Sequence, residues 1–159
     1  MRYITLLRGI GPTNPNMKSA RLKAVFEGLG FRNVRTVIAS GNVIFESPAR
    51  DILRLERRIE KALPEKLGFN STAIIRTERE FRALAKRDPF RGIRDQKPNY
   101  LLVTFFKDHR PEICSVIKLI EGKTPDFMRK LEQSHGKQLT SRTWKTVCRI
   151  VRKVDEING

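Results

Sequence analysis

Hydrophobic residues change from strand-like to helical spacing over the first thirty positions of the chain. Arg2 to Arg8 is a short, β-rich apolar run that stops at Gly9, which is typical of a strand. Apolar residues then recur at helical spacing between Met17 and Leu29, and Gly30 follows, where a helix commonly closes with a left-handed residue. The pattern predicts a strand followed by an amphipathic helix.

The next segment again shows strand-like spacing followed by helical spacing, and it predicts a hairpin and a second helix. Val34 to Ala39 and Val43 to Phe45 are β-branched runs that flank a short turn at Ser40-Gly41-Asn42. The second helix has an apolar stripe of Ile52, Leu55, Ile59 and Leu63, is disturbed at Pro64 and closes at Gly68, and Thr72 to Thr77 forms another strand. With right-handed crossovers, this βαββαβ order predicts a ferredoxin-like antiparallel sheet with both helices on one face.

The second half of the chain is predicted to be richer in helix. Glu78 to Lys86 resembles a short helix, which Asp88-Pro89-Phe90 ends before a polar stretch that reaches Asn99. Beyond it the pattern predicts a strand at Tyr100 to Phe106 and helices at Pro111 to Ile120, Pro125 to Ser134 and Arg142 to Ile157. The expected fold class is α+β, with a ferredoxin-like subdomain over 1–77, a helix and linker over 78–99, and a smaller helix-rich α+β C-terminal subdomain over 100–159.

An excess of positive charge is spread over the whole chain. The 159 residues include 33 Lys and Arg against 17 Asp and Glu, a formal net charge of +16. Residues 1–77 hold 14 basic and 6 acidic side chains and residues 78–159 hold 19 and 11, so each half carries +8. The charge therefore belongs to the folded surface, where it attracts polyanions in a salt-dependent way.

Two of the predicted helices carry a basic stripe opposite their apolar face. The stripe of the second helix contains Arg50, Arg54, Arg57 and Lys61, and that of the last helix contains Arg142, Lys145, Arg149 and Arg152. Like charges along one face repel one another unless a negative group lies nearby, and a phosphate backbone would supply it. The alternative is a solvated face on which carboxylates elsewhere in the fold, together with counterions, reduce the repulsion between the like charges.

Three functional hypotheses follow from these residues. The leading one is a polyanion-binding module for the backbone of RNA or DNA, with little base specificity. The second is a binder of, or an enzyme acting on, a small anionic or phosphorylated metabolite held by Arg8 and Arg35, which the topology places near one edge of the sheet. The third is a self-assembling interaction protein whose exposed sheet face pairs with another copy.

Catalytic and metal-binding chemistry has little support in the sequence. Neither His109, in a charged turn, nor His135, at a helix end, is visibly paired with Asp, Cys or Ser for catalysis, and no recognised catalytic motif is present. Cys114 and Cys148 are far apart in apolar patterns, which indicates core residues in a reducing cytoplasm. Without a membrane span or signal peptide, the sequence favours a cytoplasmic binding protein that needs no cofactor and no metal, and argues against an enzyme.

Two polar positions near the predicted turns have alternative interpretations. Ser40 and Asn42 are standard turn formers that could also bond a ligand at the hairpin tip. Thr140 and Ser141 could hold an anion at the start of the last helix or act only as its N-cap.

Four segments together resemble a known bacterial family. They read LLRGI (6–10), LKAVFEGLGF (22–31), VRTVIASGNVIFES (34–47) and TSRTWKTVCRI (140–150). In this order and at these separations they resemble the bacterial domain-of-unknown-function family 1697 (DUF1697). The resemblance implies a two-subdomain α+β fold whose first part is ferredoxin-like, in a family with no established activity.

The chain departs from the pattern of that family in two places. The loop after LLRGI reads GPTNPN instead of a glycine- and lysine-rich segment, which weakens any anion-cradling role for it. Between Gly122 and Thr140 only a helical pattern occurs where the family has a further strand, and Thr143 replaces the usual Asn of the C-terminal motif. The second subdomain is therefore expected to be trimmed.

Overall fold

The computed structural model of the chain describes residues 1–9, 18–38, 41–120 and 126–158. Its helices are α1 (Ser19–Gly28), α2 (Ile52–Leu67), α3 (Glu78–Arg87), α4 (Phe127–His135) and α5 (Trp144–Asn158). Its strands are β1 (Arg2–Leu7), β2 (Arg32–Thr36), β3 (Asn42–Glu46), β4 (Ala73–Thr77), β5 (Asn99–Phe106), β6 (Ile113–Lys118) and β7 (Leu139–Thr143). They form two antiparallel sheets, so the α+β class is confirmed. No described helix has the length and apolar character that a membrane crossing requires.

The first sheet has the strand order β2-β3-β1-β4. Successive side chains of a strand point to opposite faces, and in β1 Tyr3 and Leu7 lie on one face while Ile4 and Leu6 lie on the other. Helices α1 and α2 cover the first face, where Phe26 and other apolar residues of both helices pack on β1, β3 and β4. Both helices are thus on the same side of this sheet.

The opposite face of the first sheet forms a core shared with the second half of the chain. Ile4 and Leu6 belong to one cluster with Phe81 of α3, Phe105 of β5 and Ile150 of α5. The Phe81 and Phe105 rings stack with centroids 5.5 Å apart. This shared core holds the second sheet and α5 on the side away from α1 and α2.

The second sheet, of order β6-β5-β7, corrects the predicted content of the C-terminal half. The helix predicted at Pro111 to Ile120 is wrong, because residues 113–118 form β6. Ile113, Val116 and Ile117 follow the i, i+3, i+4 spacing of a helix, yet they are β-branched, and the long strand β5 offers them a full row of pairing partners. The expectation of a single strand in this half is therefore also wrong, since β5, β6 and β7 all belong to it.

The start of the last helix was also predicted incorrectly. Residues 139–143 form strand β7, which pairs with β5, and α5 begins at Trp144 and not at Arg142. The N–H of Thr146 donates to the Oγ1 of Thr143 at 3.2 Å. Thr143, and not Thr140 or Ser141, thus satisfies a backbone donor at the start of α5.

Side chains satisfy the backbone along the outer edge of β4. The backbone N–H of Ala73 donates to Glu60 at 3.0 Å, and the N–H of Ile75 donates to Glu56 at 2.9 Å, both carboxylates coming from α2. Lys107 donates to the Ala73 carbonyl and to Glu60, each at 2.7 Å. An edge strand with unpaired backbone groups invites further strand pairing, and these bonds remove that tendency from β4.

His109 joins the second sheet to this closed edge. An arginine can only donate, so the 3.3 Å contact from Arg76 to Nδ1 of His109 leaves the imidazole hydrogen on Nε2, which lies 3.7 Å from the buried Glu56. Burial and the nearby Arg76 charge lower the pKa of His109, whereas burial raises the pKa of Glu56. The two groups therefore contribute pH dependences of opposite sign.

We expect the free energy of unfolding of the wild type to fall, relative to that of a His109→Asn variant, as the pH is lowered from 7.5 to 5.5. The folded pKa of His109 lies below its unfolded value of about 6.5, so the unfolded chain binds more protons in this window and acid favours it. The slope is at most about 1.4 kcal/mol per pH unit. Asn is the matched replacement because it tolerates the positive φ of 63° at this position.

Urea titrations of both proteins at each pH measure this difference. Glu56, whose raised pKa contributes stability at acid pH that is lost as the pH rises, is present in both proteins and largely cancels. If the difference in the free energy of unfolding between the two proteins stayed constant from pH 7.5 to 5.5, the lowered pKa of His109 would be contradicted.

Candidate nucleic-acid interface

Helix α2 is oriented so that its basic residues face the solvent. Asp51 accepts the N–H of Arg54 at its N-terminus, and Gly68 ends it in a left-handed conformation with φ of 77°. Leu55, Ile59 and Leu63 are buried against the first sheet. Because the apolar stripe is fixed in this way, the opposite stripe is presented to solvent.

The predicted stripe of the second helix is present as an exposed basic face. We call Arg54, Arg57 and Lys61 of α2, together with Arg50 just before the helix, the α2 basic face; all four residues are exposed. Within the described ranges, no carboxylate oxygen lies within 4.0 Å of their charged groups. Their positive charge is therefore not neutralised by a close ion pair in that part of the protein.

The distribution of the glutamates of α2 explains this lack of ion pairs. Glu56 and Glu60 point to the edge of β4, where backbone N–H groups and Lys107 bind them. Only Glu65, near the C-terminal end, remains exposed on this helix. Two of the three glutamates of α2, Glu56 and Glu60, thus lie toward the sheet edge, whereas Arg54 and Arg57 face the solvent.

Arg58 belongs to the same side of α2 and was not predicted. It is four residues beyond Arg54, and this spacing could have revealed it. Its guanidinium donates to the Leu29 carbonyl at 2.5 Å and lies over the Phe31 ring, 5.2 Å from the centroid. Arg58 therefore adds charge to this side and also ties α2 to the end of α1.

The predicted stripe of the last helix is only partly present. Lys145, Arg149 and Arg152 are exposed on α5, and in the described structure none of them is within 4.0 Å of a carboxylate. Arg142 is not a member of this stripe, because it belongs to β7 and points toward the first sheet. The α5 basic face is therefore limited to Lys145, Arg149 and Arg152.

The two basic faces do not join into one surface. The buried side of α2 packs on the face of the first sheet that carries Tyr3 and Leu7, whereas α5 packs in the cluster that contains Ile4 and Leu6. Since these residues alternate along β1, the helices lie on opposite sides of the sheet. One flat polyanion surface cannot use both faces at once.

Arg8 and Arg35 are also not brought together. Arg8 follows the end of β1 and forms an ion pair with Glu132 of α4, while it donates to the Leu139 carbonyl at 3.0 Å. Arg35 lies on β2, which is separated from β1 by β3, and donates to the carbonyl of its neighbour Val34 at 3.1 Å. A single small ligand held by this pair is not supported by their placement.

Arg142 connects the two sheets. It donates to Asn42 at 2.6 Å, to the Leu7 carbonyl at 2.8 Å and to Thr140 Oγ1 at 2.7 Å. Burial lowers its pKa to about 10, so the side chain stays protonated at neutral pH. Asn42, the first residue of β3, is buried, donates to the Val37 carbonyl and is thereby a structural partner of Arg142.

Across the four described ranges, no group of three or more His, Cys, Asp or Glu has the geometry to hold a metal ion. Ser40, which the sequence predicted at the hairpin tip, lies outside the described residues.

The architecture defines a mixed α+β protein with two antiparallel sheets and an exposed basic helix. The chain belongs to the family of proteins of unknown function DUF1697, whose model matches residues 1–129. The family assignment made from the sequence is thereby confirmed, although the TSRTW segment at 140–144 lies beyond the matched range.

A solved structure has a similar fold. The conserved bacterial protein SP0830 from Streptococcus pneumoniae is similar with a TM-score of 0.69 and 19% sequence identity, over 97% of this chain and 98% of that chain. At this identity the likeness shows the fold alone. No curated protein matches the chain.

Proposed function

We propose that the protein binds polyanions, most plausibly the phosphate backbone of nucleic acid, through the α2 basic face. The observation that carries the proposal is the row of exposed cations along α2, while Glu56 and Glu60 of this helix are engaged at the edge of β4. Phosphates approaching this row would relieve the repulsion between neighbouring like charges. Lysine and arginine contacts of this kind dominate the affinity of proteins for nucleic acid.

The proposed contact is sequence-independent. Among the described residues the only exposed large hydrophobic side chain on α2 is that of Leu53, so the helix offers no aromatic platform for bases. From Arg54 to Lys61 the helix rises about 10 Å, which matches roughly three phosphates of one strand at 3.4 Å of axial rise each. The face is thus suited to reading backbone charge and spacing.

The proposal predicts binding to a random-sequence DNA duplex that weakens steeply with salt. For three phosphate contacts the slope of log K against log salt is about −2.7, so affinity should fall about 40-fold between 50 and 200 mM salt. Fluorescence anisotropy with a labelled 20-base-pair duplex measures the affinity at each salt concentration. Absence of binding at 50 mM, or an affinity that does not respond to salt, would overturn the proposal.

We further propose the finer organisation of the fold. The strand order β2-β3-β1-β4 with α1 and α2 on one face supports a ferredoxin-like unit over residues 1–77. Strand pairing within each half, and none between the two sheets in the described ranges, supports a second subdomain over 100–159 joined through 78–99. A cytoplasmic location fits the free thiols of Cys114 and Cys148.

A further inference from the structure

The two sheets end in four edge strands, β2 and β4 in the first sheet and β6 and β7 in the second. Side chains of α2 and Lys107 satisfy the outer edge of β4. Strand β2 has a register shift between Arg32 and Arg35, and Asn33 in this stretch has a positive φ of 49°. An edge that side chains close, or that a bulge bends, resists pairing with a further strand. Both edges of the first sheet are therefore protected.

Guanidinium groups protect the outer edge of β7. The Gln138 carbonyl accepts a backbone hydrogen bond from the residue after β5, so the odd-numbered residues that follow point their backbone groups away from β5. The outward carbonyl of Leu139 accepts from Arg8 at 3.0 Å. The outward carbonyl of Ser141 accepts from Arg142 at 2.9 Å. A strand that added to β7 would have to displace both arginines.

Strand β6 has a regular backbone, and its outer edge carries no such protection in the described ranges. Its register with β5 is continuous along its whole length. The N–H of Leu119 donates to the Pro98 carbonyl at 2.8 Å, so the odd-numbered residues of β6 are the ones that bond to β5. The N–H and C=O groups of Cys114, Val116 and Lys118 therefore point away from β5. We call these three residues the outward residues of β6.

The outward residues leave the edge of β6 accessible. Within the described part of the chain, none of their backbone N–H and C=O groups forms a hydrogen bond. Lysine often protects an edge strand, but the ammonium group of Lys118 donates to Asn99 Oδ1 and so lies back over β5. Val116, in the middle of the edge, is apolar and 39% exposed. A regular, uncharged edge of this kind is a template for pairing with another strand.

The outward residues of β6 are complementary to those of a second copy. Two β6 strands related by a two-fold axis run antiparallel, and each contact then occurs twice. The register that pairs all three outward residues places Val116 opposite its own counterpart and Cys114 opposite Lys118. Each opposed pair in this register exchanges two backbone hydrogen bonds. The two Val116 side chains meet at the axis and cover an apolar group that the single chain exposes.

The charges of the protein are compatible with this pairing. In the register centred on Val116, the two Lys118 residues are separated by four positions along the strand, about 13 Å. This distance exceeds the screening length of about 8 Å at physiological salt. The second sheet lies across the first sheet from α2, so the α2 basic faces stay away from the paired strands.

We infer that two copies of the chain associate through β6, so that their second sheets join into one continuous antiparallel sheet. The association uses a sheet edge, whereas the self-assembly hypothesis drawn from the sequence used a sheet face. It goes beyond the proposed polyanion binding and does not depend on it.

Sedimentation velocity of the full chain tests the inference. Between about 1 and 200 µM, the measured mass should rise from the 18.4 kDa of the single chain toward twice that value. A buffer with about 300 mM salt suppresses bridging by residual nucleic acid. The Arg54→Glu/Arg57→Glu variant should dimerise equally, which separates this interface from the polyanion surface. A chain that stays monomeric over the whole range would overturn the inference.

Substitutions at Val116 test the position of the interface. Val116→Pro removes an N–H that β5 does not use, and an edge strand tolerates proline at such a position. Each dimer then loses two hydrogen bonds, and its dissociation constant should rise about 100-fold. Val116→Lys places like charges opposite each other and should also disrupt the dimer, even if the proline variant fails to fold. Val116→Thr keeps the N–H and the β-branched shape and should dimerise within severalfold of the wild type. A dimer that persists in Val116→Lys would place the contact elsewhere and contradict the inference.

Amide hydrogen exchange followed by NMR tests the alternation along β6. The Val116 N–H should exchange rapidly in dilute protein and more slowly as the concentration is raised into the dimer range. The N–H groups of Ser115 and Ile117 differ, because Ile117 and Ser115 bond to β5 and should be protected at every concentration. A Val116 N–H whose exchange rate does not change with concentration would contradict the pairing.

Discussion

Replacing Arg142 with alanine is expected to lower the free energy of unfolding by about 3 kcal/mol. Among the groups that lose this donor are three acceptors on buried residues, namely Asn42 Oδ1, the Leu7 carbonyl and Thr140 Oγ1. Each buried group left unsatisfied costs about 1–3 kcal/mol. The expected loss of about 3 kcal/mol takes the lower end of this range for each of the three acceptors. For a chain of this size the melting temperature should fall by about 6–12 °C.

Urea unfolding of the wild type and matched variants measures this loss. Arg142→Lys keeps the charge but lacks the planar fork, so its stability should lie between those of the wild type and Arg142→Ala. Lys145→Ala, at an exposed position three residues away in the chain, should change stability by less than about 0.5 kcal/mol. A loss below about 1 kcal/mol in Arg142→Ala would show that this residue does not fix the two sheets together.

Reversing two charges on α2 is expected to weaken duplex binding on the order of 100-fold at 50 mM salt. The Arg54→Glu/Arg57→Glu variant removes two of about three phosphate contacts and adds two repulsive groups to the same face. Both residues are exposed and form no ion pair in the described structure, so the fold should be little affected.

The α5 basic face provides a control with the same change of net charge. Lys145→Glu/Arg149→Glu reverses two exposed charges on the opposite side of the first sheet. We expect its affinity to fall only severalfold, through the weaker overall potential. Equal losses in the two double variants would mean that net charge, and not the α2 basic face, determines binding.

Local sequence patterns predicted those elements whose pairing partners are close in the chain. The hairpin before α2 and the stripe of Leu55, Ile59 and Leu63 depend on turn chemistry and helical periodicity, which a short window contains. Strand β6 was missed because Ile113, Val116 and Ile117 fit a helix equally well. Its conformation is decided by pairing with β5, a contact that no local pattern contains.

In the candidate site, too, the features set by a local pattern were predicted and those set by contacts between distant segments were not. The α2 basic face was predicted from spacing alone, because the apolar stripe of the helix determines which residues face the solvent. Arg142 was misplaced because the predicted helix began two residues too early, which moved a side chain that connects two sheets onto a solvent-exposed stripe.

Amide NMR of the labelled protein during titration with a short random-sequence DNA duplex tests the central claim most directly. At 50 mM salt we predict that the largest perturbations lie between Arg50 and Lys61, that they are lost as salt rises, and that Lys145 to Arg152 stays largely unaffected. Perturbations centred on α5, or a spectrum that the duplex leaves unchanged, would contradict the assignment of α2 as the polyanion-binding surface.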